Sequence, residues 1–110
     1  MMANVYKSPA QLKPLANTLE DLYTVPAGTQ VVVSNIHICN LDSLEGTVRI
    51  AVRPDGATLE DKHYLFYELT LAGNDTVQLG DGITMDAGDI ISVWSSNGET
   101  TFNMSYAEVT

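Results

Sequence analysis

The sequence is poor in the residue types on which most protein chemistry depends. Its 110 residues include one cysteine, two histidines and only five lysines and arginines, against fourteen aspartates and glutamates. With Cys39 alone, the chain cannot form an internal disulfide, whereas secreted domains of this size often depend on such bonds. Cys39 lies in an apolar alternation, where a free cysteine behaves as a small buried residue rather than as a nucleophile. We therefore expect assembly in a reducing cytoplasm.

Positive charge is scarce, and the formal net charge is -9. An acidic surface repels both phosphate backbones and anionic lipid headgroups, so we expect no direct binding to nucleic acid and no membrane association. No run approaches the roughly 18 apolar residues of a membrane helix, and residues 1–7 lack the pattern of a signal peptide. The charge favours basic partners.

Catalytic and metal-binding motifs are also missing. The two histidines, His37 and His63, lie on different predicted strands, so the paired histidines of a zinc protease cannot form. No serine lies in a nucleophile-elbow motif. We predict no enzyme activity, no catalytic residue, no cofactor and no metal. An alternative is a calcium site on glycine-flanked aspartates that depart from the EF-hand order, namely Asp75, Asp81, Asp86 and Asp89.

What the chain does contain is a pattern of short strands. From residue 19 onward, β-branched and aromatic runs alternate with Gly, Asn and Asp turns, and the two-residue signal Asn97–Gly98 predicts a final hairpin. About eight strands and no helix predict an all-β antiparallel β-sandwich, either jelly-roll-like or immunoglobulin-like.

Residues 1–18 differ from the rest of the chain. They contain Pro9 and Pro14 and show no sustained hydrophobic period, which predicts an extended N-terminal arm ahead of a sandwich domain at residues 19–110. Such an arm either crosses its own domain or reaches a neighbouring subunit.

Two predicted strands carry specific expectations. The run Thr29–Asn40 is apolar on both faces, and its polar pair Ser34–Asn35 predicts a β-bulge that switches the inward face. The run His63–Leu71 is rich in aromatic residues, which favours a central position in a sheet.

Candidate interface residues come from the strand faces. Arg49 and Arg53 share the face opposite Val48, where they either pair with carboxylates or present a contact site. Trp94 shares a strand face with Ser92 and Ser96, so we expect it to point outward. There it would lie either beneath the arm or at a contact between subunits. The full set of predicted interface residues is Tyr6, Leu12, Leu15, Arg49, Arg53 and Trp94.

An alternative reading makes Trp94 part of a sugar-binding platform. In that reading, Trp94 acts with Tyr64, Phe66 and Tyr67 as an aromatic surface for carbohydrate. The protein would then be an adhesion module rather than a structural subunit.

Strand and turn motifs recur through most of the chain from about residue 18 onward. They span Leu22–Thr29, Val33–Asn40, Arg49–Pro54, Asp61–Tyr67, Gly82–Asp89 and Phe102–Asn103. In these motifs the chain resembles a family of small tailed-bacteriophage virion proteins. No catalytic residue is among them.

The resemblance implies a β-sandwich virion component without enzyme activity, made in the host cytoplasm and located in the virion. It implies a capsid decoration or cement subunit, or else a component of the neck, tail or baseplate. The implied partners are other virion proteins, such as the major capsid protein or tail and neck proteins. Further copies of the chain are also implied partners, with a trimer as one possible homo-oligomer.

Overall fold

The computed structural model describes residues 4–7, 9–80 and 82–110, which form ten β-strands and two short 3₁₀ turns. The 3₁₀ turns span Pro54–Gly56 and Asp61–His63. The strands are β1 (Asn4–Tyr6), β2 (Ala10–Leu12), β3 (Glu20–Thr24), β4 (Gln30–Asn40), β5 (Gly46–Arg53), β6 (Tyr64–Leu71), β7 (Thr76–Leu79), β8 (Thr84–Met85), β9 (Ile90–Ser95) and β10 (Thr100–Val109). No helix among these described residues is long and apolar enough to cross a membrane.

The strands form two antiparallel sheets. In the six-stranded sheet, β10 pairs with β1 and β2 on one side and with β4 on the other, and β4 also pairs with β7 and β8. The four-stranded sheet has the order β3-β9-β5-β6. The predicted antiparallel β-sandwich is confirmed, and the eight strands expected from residue 19 onward are β3 to β10. The predicted final hairpin at Asn97–Gly98 is wrong, because this turn carries the chain from β9 in one sheet to β10 in the other.

The pairing order is that of a jelly roll rather than of an immunoglobulin domain. We count β1 with β2, and β7 with β8, as single interrupted strands, which leaves eight strands. The first then pairs with the eighth, the second with the seventh, the third with the sixth and the fourth with the fifth. This nesting is what results when one long antiparallel hairpin is wound into two sheets.

The N-terminal segment lies against its own chain. Strand β2 pairs with β10 so that Leu12 is opposite Phe102 and Gln11 is opposite Asn103, and β1 pairs with the end of β10. The segment therefore supplies the first strand of the jelly roll. The boundary between an arm and a domain after residue 18 stays a prediction.

The core lies between the inner faces of the two sheets. Its members are mainly β-branched, as expected for strands whose alternate side chains point inward. Full burial of one such side chain stabilises the fold by about 1.5–3 kcal/mol. Those with the least exposure include Val31, Ile38, Ile50, Ile91, Val93, Phe102 and Met104.

The predicted bulge in β4 is confirmed. The register with β10 shifts so that Asn35 is opposite Ser105 while Val33 is opposite Tyr106, which leaves Ser34 as the extra residue. Before the bulge the odd-numbered side chains are buried, and after it the even-numbered ones are buried. The bulge lets an eleven-residue strand keep apolar residues on the core side throughout.

The predicted central position of β6 is wrong. This strand is the edge of the four-stranded sheet and pairs only with β5 among the described strands. Its register shifts twice, and Leu65 and Tyr67 are 44% and 59% exposed. Aromatic residues at such an edge are available to a partner, whereas bulges discourage uncontrolled edge-to-edge pairing.

Candidate protein-binding surface

A row of aromatic side chains and one arginine crosses the outer face of the four-stranded sheet. Arg49 on β5 is directly opposite Trp94 on β9, and its guanidinium carbon lies 4.0 Å from the centre of the Trp94 ring. The same carbon lies 4.6 Å from the centre of the Tyr67 ring on β6. Tyr64 continues the row, with its ring centre 4.9 Å from that of Tyr67. We call Trp94, Arg49, Tyr67 and Tyr64 the aromatic–arginine row.

A bulge in β6 assembles the outer end of this row. Val48 is opposite Leu69 and Ile50 is opposite Phe66, so two residues of β6, Tyr67 and Glu68, face Arg49 alone. The backbone of Glu68 lies in the left-handed region, with φ 55°. This conformation lets one side chain lie over the guanidinium while its neighbour pairs with it.

Glu68 neutralises the positive charge that Arg49 brings to the row. The Arg49 Nε donates a hydrogen bond to Glu68 Oε1 at 2.8 Å, and the guanidinium Nη2 contacts the same oxygen. Burial opposes the charge of Arg49, but the contact with Glu68 outweighs it and raises the Arg49 pKa. The hydrogen bond from Arg49 in turn holds the pKa of Glu68 below its usual value. Both groups therefore stay ionised, and their charges largely cancel.

The other predicted arginine is held inside the fold. Arg53 Nη2 donates to Asp21 Oδ1 at 2.9 Å, Nη1 donates to the Ala57 carbonyl at 3.0 Å and Nε donates to Ser92 Oγ at 3.3 Å. The alternative of intramolecular pairing is confirmed for both Arg49 and Arg53. A contact role for either stays a prediction.

The predicted interface residues of the N-terminal segment occupy three different settings. The backbone of Tyr6 lies in β1 opposite Ala107, and its side chain is outside the described part of the structure. Leu12 is partly buried against the core, whereas Leu15 is 72% exposed. The structure therefore places Leu15 on the surface, and it does not bring Leu12 or Leu15 into the aromatic–arginine row.

Ion pairs attach the N-terminal segment to the last strands. Lys7 Nζ lies 3.4 Å from Glu108, and Lys13 Nζ lies 3.4 Å from Glu99. Residues 1–18 contain these two lysines and no acidic residue, so residues 19–110 hold three basic and all fourteen acidic side chains. The body of the protein is therefore strongly acidic.

A tyrosine joins this attachment to the other sheet. Tyr23 on β3 donates a hydrogen bond from its hydroxyl to Glu108 Oε2 at 2.6 Å, and its ring centre lies 4.6 Å from that of Tyr106. Burial, together with the bond to Glu108, raises the pKa of Tyr23. The Tyr23 hydroxyl and then Lys7 hold the pKa of Glu108 below its usual value. This contact connects the two sheets at the end of β10.

The aspartates of the calcium hypothesis have local roles in turns. Asp89 accepts hydrogen bonds from the backbone N–H groups of Asp55 and Asp86, both at 2.9 Å. Asp75 accepts one from the N–H of Thr76, and Asp81 lies outside the described residues. Across the described ranges, no group of three or more His, Cys, Asp or Glu side chains is arranged to hold a metal ion.

Two members of this surface were not predicted from the sequence. Glu68 was missed because its contact with Arg49 depends on a bulge in β6. Asp61, which lines an open cavity with Tyr64 and Tyr67, was missed because it lies in the 3₁₀ turn before β6. The signal that could have found Glu68 is the hairpin itself. Folding β6 back on β5 through the connection at residues 54–63 brings Glu68 towards Arg49.

Comparisons with known proteins add little to this description. No protein-family model matches the chain, and no curated protein sequence matches it. A chain in the structure of infectious bursal disease virus Gx strain is similar at a TM-score of 0.44 and 10% identity. The alignment covers 99% of this chain but only 31% of that chain, and a likeness at this level carries no argument.

Proposed function

We propose that this chain is a bacteriophage virion structural protein without enzyme activity, and that it acts as a capsid decoration or cement subunit. The sequence resemblance to small virion proteins supports the proposal, and so does the jelly-roll sandwich, an architecture used in viral capsids. The same fold also serves lectins and other proteins, so the topology alone does not indicate the function. The residues on the surface have to distinguish these roles.

The observation that carries the proposal is the aromatic–arginine row. Protein interfaces are enriched in tyrosine, tryptophan and arginine, and residues of these types dominate measured binding energies. Here one of each type is ordered by stacking before any partner binds, with Arg49 held between Trp94 and Tyr67. Preordered side chains lose less entropy on binding, so the row is suited to protein–protein contact.

The N-terminal segment is the second part of the proposed interface. Leu15 is exposed next to the bridge between Ala16 and Ser95, at the end of the strand that carries Trp94. We propose that this surface, with Tyr6 and Leu12 on the same segment, contacts neighbouring copies or other virion proteins. A homo-oligomer such as a trimer is part of the proposal.

The test is quantitative mass spectrometry of purified virus particles. A decoration subunit is expected in many copies per particle, in a fixed ratio to the major capsid protein. A neck, tail or baseplate component is expected in few copies, and that result would replace the decoration role. Consistent absence from purified particles would contradict a virion structural function altogether.

Carbohydrate binding is the second candidate function, because Tyr64, Tyr67 and Asp61 line an open cavity of about 330 Å³. Trp94 is a poor platform for sugar since the Arg49 guanidinium lies over its ring. A glycan array would test the idea with the wild-type chain and with Trp94→Ala and Tyr67→Ala. Binding that disappears with Tyr67→Ala would favour adhesion, and an empty array would remove that candidate.

A further inference from the structure

The outer end of the aromatic–arginine row is a corner between two tyrosine rings. The rings of Tyr64 and Tyr67 meet at 73° with their centres 4.9 Å apart, so they stand nearly perpendicular to each other. Together with Asp61 they line an open cavity of about 330 Å³. Tyr67 is 59% exposed, so the corner opens to solvent at the edge of the four-stranded sheet.

The chemistry of this corner fits a positively charged group. Aromatic ring faces attract cations, and sites for ammonium groups in proteins are built from rings set at an angle to each other. Asp61 adds a carboxylate that forms no ion pair with the described residues, and the neighbouring Lys62 lies 3.9 Å from Glu60. The corner therefore offers two ring surfaces and one unneutralised negative charge.

One ring of the corner, that of Tyr67, already contacts a cation within the protein. The guanidinium of Arg49 lies over Tyr67 at 4.6 Å, which shows that this ring is oriented to receive a cation on one side. Glu68 neutralises Arg49, so the bound arginine does not repel a second cation in the corner. The strongly acidic body of residues 19–110 would attract a basic partner to the protein.

We propose that the corner formed by Tyr64, Tyr67 and Asp61 receives a lysine or arginine side chain of the protein to which this subunit docks. The inference rests on the proposed function, since it names the chemistry of the partner at that surface. It commits to a cation rather than a sugar. The lining presents two phenol rings and one carboxylate, whose negative charge complements a lysine or arginine but not a neutral sugar.

The experiment is a titration of the isotope-labelled full chain, in which NMR measures the amide chemical shifts at each step. The probe is Nα-acetyl-lysine methylamide, which keeps its charged side-chain ammonium group. The matched neutral probe is Nα-acetyl-norleucine methylamide. We expect the lysine probe to give saturable shifts, at millimolar concentration, in residues 61–67 and in Arg49. The norleucine probe should give none. Added salt should weaken the lysine response because an exposed ion contact is screened.

Two variants keep the test independent of folding. Asp61→Asn preserves shape and removes the charge, and Tyr64→Leu removes one ring. Each should weaken binding of the lysine probe at least threefold. Asp75→Asn is the matched control because it removes the same charge from an exposed turn at another site, and its binding should equal that of the wild type. Amide spectra of each variant verify that the fold is intact.

Three outcomes would overturn the proposal. The first is an absence of saturable shifts with the lysine probe. The second is an equal response to norleucine, which would indicate a merely apolar contact. The third is binding of methyl glucoside in place of lysine, which would assign the corner to carbohydrate. Because the titration uses the isolated subunit, its failure is distinguishable from absence of the protein from virus particles.

Discussion

The two arginines of β5 occupy the same face of one strand, four residues apart, yet their surroundings differ. Arg53 contacts Asp21, Ser92 and the carbonyl of Ala57, and so joins β3, β9 and the turn after β5. Arg49 contacts one carboxylate and two aromatic rings, and the outer ring is exposed.

The difference separates a structural role from a surface role. Most donors of Arg53 are used inside the fold, so its loss would leave acceptors unsatisfied in a half-buried setting. Arg49 instead orders aromatic side chains that remain available to a partner. We therefore expect substitutions at the Arg53 end to affect stability, and substitutions at the Arg49 end to affect binding.

Arg53→Ala should produce the largest loss of stability. We expect the free energy of unfolding to fall by about 2 kcal/mol. Hydrogen bonds to charged groups are worth about 1.5–3 kcal/mol each, but solvent reaches Asp21 and lowers the sum of those that Arg53 makes. Urea denaturation measures the change. Lys62→Ala is the control, since its weak pair with Glu60 is solvent-exposed and should contribute little.

Arg49→Ala should cost less, about 1 kcal/mol, because cation–π contacts and a partly exposed ion pair each contribute only modestly. Arg49→Lys keeps the positive charge but lacks the planar guanidinium group. It should therefore be more stable than Arg49→Ala and less stable than the wild type. Near-ultraviolet circular dichroism should show that Trp94 loses its fixed environment. If Arg49→Ala destabilised the fold more than Arg53→Ala, the division of roles would be wrong.

Glu68→Gln should have a smaller, pH-dependent effect. Since Arg49 lowers the pKa of Glu68 in the folded state, the ion pair stabilises the fold above the unfolded pKa of about 4.3. This contribution is lost as the pH falls through the folded value. Denaturation curves should therefore separate wild type from Glu68→Gln at pH 7 and converge in acid. In an Arg49→Ala background the difference at pH 7 should shrink, and what remains is due to Thr47, which also lowers the pKa of Glu68.

Tyr67→Ala should have the smallest effect on stability, within about 0.5 kcal/mol, because substitutions of exposed surface residues rarely exceed that value. Thermal melting of the variant beside Leu44→Ala, another exposed apolar substitution, provides the comparison. A large loss with Tyr67→Ala alone would make the aromatic–arginine row part of the structural framework.

The sequence predicted several features that depend on local pattern, although the Asn97–Gly98 turn joins two sheets rather than the strands of a hairpin. The bulge at Ser34–Asn35 was predictable because two polar residues interrupt an apolar alternation, and a register switch keeps the core continuous. The outward direction of Trp94 followed from the serine at position 92, two residues earlier on the same strand face. Each of these inferences needs only neighbouring residues.

Features that depend on long-range pairing were not predictable in the same way. The edge position of β6 follows from which strands pair with β5 and β9, and a period of two contains no information about neighbours. The choice between a jelly roll and an immunoglobulin domain depends on the same pairing. The contact of Glu68 with Arg49 additionally needs a residue in the left-handed region, which is uncommon for glutamate.

Binding to virus particles that lack this protein tests the central claim most directly. Purified wild type, Tyr67→Ala and Leu44→Ala would each be incubated with such particles and quantified after sedimentation. The account predicts that wild type and Leu44→Ala bind alike, while Tyr67→Ala loses about tenfold or more in affinity, as expected for a central interface tyrosine. Equal binding by all three proteins, or no binding by the wild type, would contradict it.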